Sequence, residues 1–85
     1  MTKNKINNKY NIIGKNIKKY RLKNNLSQND ICHKMELYGI VLYQKDIYRI
    51  EYGLRTIRDF EIYAFSQILK VNIETLFEGV KKEFE

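Results

Sequence analysis

Gln44-Lys45-Asp46-Ile47-Tyr48-Arg49-Ile50-Glu51 is the stretch of this chain best suited to chemistry at a surface. Apolar residues stand only at 47 and 50. On a helix turning about 100° per residue, these two share one side with Glu51 at its margin, while Lys45, Tyr48, Arg49 and Tyr52 cluster opposite and Gln44 occupies the first turn. A glutamine carboxamide can bond both polar atoms of an adenine edge, and Lys or Arg suits the two guanine acceptors. Tyr48 suits a thymine methyl or a phosphate oxygen. Gln44, Lys45, Tyr48 and Arg49 are therefore the candidates to touch base edges, although the solvated face of an ordinary helix would look the same. Asp46 works against the idea, because a carboxylate is repelled by phosphate unless it pairs with Lys45 or Arg49 or accepts from cytosine.

Such a helix has to be held by others. Leu26-Ser27-Gln28-Asn29-Asp30-Ile31 is a complete helix start: Ser27 caps, Asp30 reaches back as the far half of a capping box, and Leu26 and Ile31 flank it as a staple. A helix N-terminus carries unsatisfied donors and partial positive charge, so Gln28, with Asn29 beside it, is a candidate phosphate clamp. A plain surface glutamine is the alternative.

The remaining pattern reads as helix throughout. Residues 1–10 lack periodicity and read as a flexible basic arm. A first helix runs from an Asn11 cap to about Lys23 with Ile13, Ile17 and Tyr20 inward, and a second from Ser27 to about Leu37 with Ile31, Cys32 and Met35 inward. A turn with Gly39 tucks in Ile40 and Leu42. A third helix follows, from about Gln44 to Tyr52, stopped by Gly53. A fourth spans about Asp59 to Lys70 with Ile62, Phe65 and Leu69 inward, and Asn72 caps a fifth, Ile73 to Phe77. The expected fold is all-α, a five-helix domain over 11–78 followed by a tail, 79–85.

Composition narrows the class. The chain has 85 residues, no proline and four glycines, which suits one small helical domain. One cysteine cannot form an internal disulfide, and a reducing cytoplasm fits best. Nothing reads as a signal peptide or a membrane span. Net charge is +6 and unevenly spread: residues 1–25 hold Lys3, Lys5, Lys9, Lys15, Lys18, Lys19, Arg21 and Lys23 and no acid. That asymmetry suits a polyanionic partner, and equally a solubilising tail.

Several of these residues, in order, resemble a known family. Ile13-Gly14-Lys15-x-Ile17, Tyr20-Arg21, Leu26-Ser27-Gln28, Arg49-Ile50-Glu51-x-Gly53 and Val71-Asn72-Ile73-Glu74-Thr75-Leu76-Phe77 resemble the Cro/C1-type (Xre-like) helix-turn-helix domain of phage and bacterial repressors. The likeness covers about residues 12–78. The segment from Glu36 to Tyr43 departs from the compact repressors by being longer, as in a subgroup that often carries a pattern like Arg55-x-Ile57-x-Asp59-x-Glu61. The resemblance implies a compact five-helix, lambda-repressor-like DNA-binding domain, double-stranded DNA as partner, and often a homodimer. It implies that Arg21 and Glu51 form a partly buried structural pair, and that Arg55 and Arg58, in the link after the third helix, touch the DNA backbone, solvated loop arginines being the alternative. Tyr52 joins the phosphate-contacting set. Tyr43 stands where a capping Ser or Thr would be expected.

Cys32 and His33 are a poor metal or thiol site, since neighbours on a helix diverge and no second His or Cys completes a zinc set. No glycine-rich phosphate loop or activated serine is present, so neither enzyme chemistry nor a cofactor is expected. Two functions remain. One is a sequence-specific double-stranded DNA-binding transcriptional regulator, read as a repressor acting by operator occupancy in the cytoplasm. The other is an antitoxin-like or adaptor module that binds a protein, which a large exposed apolar patch would favour. With no second domain for sensing, a signal is expected to act through a partner, dimerisation or expression level. For a homodimer the expected surface is a stripe of Leu76, Phe77, Val80 and Phe84, if the last helix continues past Gly79.

Overall fold

Ser27 and Asp30 start the second helix by exchanging hydrogen bonds: the Ser27 hydroxyl accepts from the Asp30 N–H at 3.0 Å, and the Asp30 carboxylate accepts from the Ser27 N–H at 2.8 Å. Local signals of this kind set the architecture. The computed structural model describes residues 4–85, and among them the order is α1 (Gly14–Lys23), α2 (Gln28–Glu36), α3 (Gln44–Glu51), α4 (Asp59–Leu69) and α5 (Ile73–Leu76). A 3-10 helix, Val80–Phe84, follows. The class is all-α. No helix among the described residues is long and apolar enough to cross a membrane.

The inward faces meet in one core. Ile17, Ile31, Met35, Ile47, Ile50, Phe65, Leu69 and Leu76 are fully or almost fully buried. α3 packs on α1 and α2, and α4 packs on α1, α2 and α5. Leu42 is buried and Ile40 partly so, as the Gly39 turn requires. Gly14 sits where α1 begins against the end of α3; a Cβ there would collide with the Ile50 carbonyl oxygen. Only glycine lets the two backbones approach so closely.

Asn11 secures the same junction. Its side-chain oxygen accepts from the Ile13 and Gly14 N–H groups at 3.1 and 2.7 Å, and its amide donates to the Ile50 and Arg55 carbonyls at 3.0 and 2.9 Å. It therefore caps both the start of α1 and the end of α3. The helix begins at Gly14, later than the expected cap position implies, because the Asn11 oxygen reaches forward two and three residues.

α3 starts without a capping hydroxyl. The Asp46 carboxylate accepts from the Tyr43 N–H at 2.9 Å, and the Tyr43 carbonyl accepts from the Asp46 N–H at 2.9 Å. Asp46 is thereby corrected: it is a helix-starting group rather than a partner of Lys45 or Arg49.

The two ends differ from expectation. Met1, Thr2 and Lys3, the outer part of the expected arm, lie outside the described residues. Ile6 and Lys9 bond each other reciprocally at 2.9 Å, and the Tyr10 N–H donates to the Gly53 carbonyl at 2.8 Å. The Asn7 amide and the Lys9 ammonium both bond Glu83. So residues 6–10 have a docking place, built from groups far away in sequence. At the other end, α5 closes at Leu76, Gly79 takes a left-handed φ of 75°, and a 3-10 helix follows in place of a continued α-helix. Leu76 is buried in the core, so the expected stripe of Leu76, Phe77, Val80 and Phe84 does not form; Phe77 and Phe84 alone are exposed.

Candidate functional site

The outer face of α3 carries every side chain expected to touch bases. Gln44, Lys45, Tyr48 and Arg49 are exposed, as is Tyr52 at the helix end, while Ile47 and Ile50 face the core. The start of α2 lies alongside: the Gln44 amide donates to the Gln28 side-chain oxygen at 3.3 Å. Gln28 is half-buried, and its own amide donates to Glu51 Oε1 at 3.1 Å. Asn29, beside it, is exposed.

Behind this face stands the Arg21–Glu51 pair. The Arg21 guanidinium grips Glu51 in two places, Nε to Oε2 at 2.5 Å and Nη2 to Oε1 at 3.1 Å, and both residues are buried. Arg21 Nη1 also donates to the Leu26 carbonyl at 2.9 Å, just ahead of α2. The run Arg21, Glu51, Gln28, Gln44 thus connects α1, α3 and α2 without a gap. It ties α3 to its neighbours at both ends, by a buried charge-assisted pair at Glu51 and by an exposed amide–amide bond at Gln44.

The far end of α3 is braced from α1. Lys18 Nζ donates to the Tyr52 hydroxyl at 2.9 Å and sits 4.9 Å from the centre of its ring. That bond holds the Lys18 ammonium above its ordinary pKa. Tyr52 in turn lies against Tyr48, with ring centres 4.6 Å apart.

Compared with profiles of known families, with curated proteins and with solved structures, the chain matches none.

Arg55 and Arg58 part company. Arg55 is turned onto the buried carboxylate of Glu61, with Nη1–Oε1 and Nη2–Oε2 distances of 3.1 and 3.0 Å. It also bonds the Thr56 carbonyl at 2.6 Å. Its guanidinium is therefore engaged first by Glu61 and Thr56, with the Nε–H and one Nη2–H left over for the phosphate contact expected of it. Arg58 keeps an exposed side chain, 3.5 Å from Glu61, and its N–H donates to Glu61 at 2.9 Å to start α4. Burial works to raise the Glu61 carboxyl, but hydrogen bonds from the Arg55 side chain and the Arg58 backbone, with their charges, hold it below its ordinary value. A signal for this pair was present: position 61 shares its helix face with buried Ala64, Phe65 and Ile68, and a carboxylate there needs a cation nearby.

The basic end is partly spent inside the molecule. Lys9 pairs with Glu83, and Lys19 with Glu78, which also accepts from the Tyr20 hydroxyl. Acids near the C-terminus therefore fold back on the bases of residues 9–20. Cys32 is buried, and that burial pushes its thiol up; His33 beside it is exposed. They do not converge, and among the described residues no group of His, Cys, Asp and Glu is arranged to hold a metal.

A second surface was not foreseen. Leu37, Tyr38 and Val41 in the α2–α3 link are exposed, and Tyr38 shares a shallow cleft with Phe60 and Tyr63 of α4. The length of the link puts these apolar side chains outside the core that Ile40 and Leu42 fill.

Proposed function

We propose that this chain is a sequence-specific double-stranded DNA-binding regulator that represses by occupying an operator. In this reading α3 enters the major groove, and the start of α2 lies beside one strand as in a helix-turn-helix. The observation that carries it is the Gln28–Gln44 hydrogen bond. It holds the Gln44 carboxamide by one N–H, leaving the second N–H and the oxygen without partners among the described residues. Those two atoms are the donor and acceptor that an adenine edge requires. Lys45 and Arg49 flank it with the groups suited to guanine. Gln28, Asn29, Tyr52 and Arg58 are the foremost phosphate-side candidates, and Arg55, largely engaged by Glu61, stands behind them.

In the same reading a second copy on a palindrome would place two α3 helices in successive major grooves. The protein is assigned to the cytoplasm on its single buried thiol and its DNA partner. Selection of binding sites from random duplex DNA by the purified protein, at one fixed salt concentration, tests the proposal. A recurrent sequence should emerge, and an unenriched pool would reject it.

The exposed cleft of Tyr38, Phe60 and Tyr63 favours a second reading, in which an antitoxin-like or adaptor module binds a protein there. Substitutions in that cleft would then abolish function while α3 substitutions leave it intact.

A further inference from the structure

Gln44, Tyr48 and Tyr52 recur every four residues, so they lie in one row along the outer face of α3. Successive members are about 6 Å apart along the axis, at 1.5 Å per residue. The lower half of the row is aromatic and has its own support. Tyr48 and Tyr52 are 49% and 48% exposed, yet their rings are in contact with a 37° tilt. Lys18, reaching from α1, holds the Tyr52 hydroxyl and covers part of its ring. Lys18 fixes Tyr52, and Tyr52 fixes Tyr48.

What this pair offers a partner is carbon surface from two half-exposed rings, with a hydroxyl proton on each ring still able to donate. Its frame is cationic: Lys18 on one side, Lys45 and Arg49 on the neighbouring row. An apolar spot inside a cationic frame suits a ligand that is polyanionic overall and locally apolar. In a duplex major groove the apolar feature is the C5-methyl of thymine. Two rings with centres 4.6 Å apart, wider than the step of about 3.4 Å between base pairs, reach neighbouring base pairs.

We infer that the Tyr48–Tyr52 pair, positioned by Lys18, recognises thymine through its methyl group, so that the preferred duplex carries thymines against the last turn of α3. This inference rests on the DNA-binding reading above and extends it. It gives the Tyr52 ring a role at the bases beside the phosphate contact open to its hydroxyl. Lys18 is a positioning residue: it acts on the ligand through Tyr52.

The test uses the selected duplex and the same duplex with its thymines replaced, one at a time, by deoxyuridine. That change removes only the methyl and leaves pairing intact. For the unaltered protein, each contacted thymine should weaken binding about three- to fivefold on replacement, the effect of burying one methyl-sized group. Tyr48→Ala and Tyr52→Ala, each checked for unchanged helicity, should bind the thymine duplex less well and bring the thymine/uracil ratio to near one. Lys18→Gln should lower that same ratio, which a role limited to neutralising phosphate would not move. Equal binding of thymine and uracil duplexes by the unaltered protein would overturn the inference while leaving DNA binding in place. So would tighter binding of the corresponding single strand, which would make the rings a stacking platform for unpaired bases. Failure to bind any duplex would overturn the DNA reading and this inference together.

Discussion

Gln28 and Arg21 hold the same oxygen of Glu51, each at 3.1 Å, from two different helices. Glu51 sits at the end of α3, Gln28 at the start of α2, and Arg21 inside α1. A buried carboxylate is thus shared between the part of the molecule that supports α3 and the part that would face a ligand. Its removal should be felt in both.

Arg21→Ala and Glu51→Ala are each expected to lower stability by about 3–5 kcal/mol, because each strands a buried charge. Replacing both with apolar residues of similar volume should cost clearly less than the two single changes added together. Denaturant unfolding of the four proteins checks this. Unchanged stability in both single variants would contradict the buried geometry.

Arg55 and Arg58, neighbours in the same link, should behave oppositely. Arg55→Ala leaves Glu61 buried without its main partner and is expected to cost roughly 3–5 kcal/mol of stability. Arg58→Ala should leave melting nearly unchanged but lower the salt dependence of DNA binding by about one unit of slope, the effect of one phosphate contact. Thermal melts and affinities across a salt series separate the two.

Gly14→Ala should destabilise by roughly 1–3 kcal/mol or more, since its Cβ would meet backbone that has no room to move. The equivalent change at Gly39, where a Cβ meets nothing within 4 Å, carries only the strain of its φ of 74°. Gly39→Ala should therefore cost less, and parallel chemical denaturation orders the pair.

Acid stability follows from the carboxylates. Asp30 is held below its ordinary value first by the Ser27 backbone N–H and then by its hydroxyl, and Glu61 is depressed by its arginine partners against the effect of burial. A depressed carboxyl contributes stability above its unfolded pKa and loses it as pH falls through its folded pKa. Stability should therefore be steady at neutral pH and decline below the ordinary carboxylate range. Glu61→Gln should be less stable than the unaltered protein at pH 7, with the gap narrowing as acid protonates Glu61. A gap that stays constant down to low pH would contradict the ion pair.

Legibility in the sequence followed the range of the interactions. The Ser27–Asp30 box, the burial of Ile47 and Ile50 and the exposed row of α3 depend on residues within one or two turns, and helical periodicity reports them directly. Local pattern goes blind where a side chain is claimed from a distance. The Arg55–Glu61 pair is invisible to it because the two residues stand on opposite sides of the α4 start. Residues 1–10 read as an arm from local pattern, which cannot show the bonds from residues 7–10 to Gly53 and Glu83. The terminal stripe is lost because α5 ends at Leu76, itself buried, and Gly79 then turns left-handed, so Leu76, Val80 and Phe84 share no helix face. Charge behaves likewise, since the bases counted in residues 1–25 are met by Glu78 and Glu83 from the far end of the chain.

The central claim is that the outer face of α3 reads duplex sequence. The most direct measurement is the affinity of the unaltered protein and of Gln44→Ala for a selected duplex and for its scrambled counterpart, at one fixed salt concentration. Losing a two-point contact to adenine should cost roughly 1–3 kcal/mol on the selected duplex and distinctly less on the scrambled one. Arg49→Ala should follow the same pattern. Equal losses on both duplexes, or no preference between them in the unaltered protein, would contradict the account.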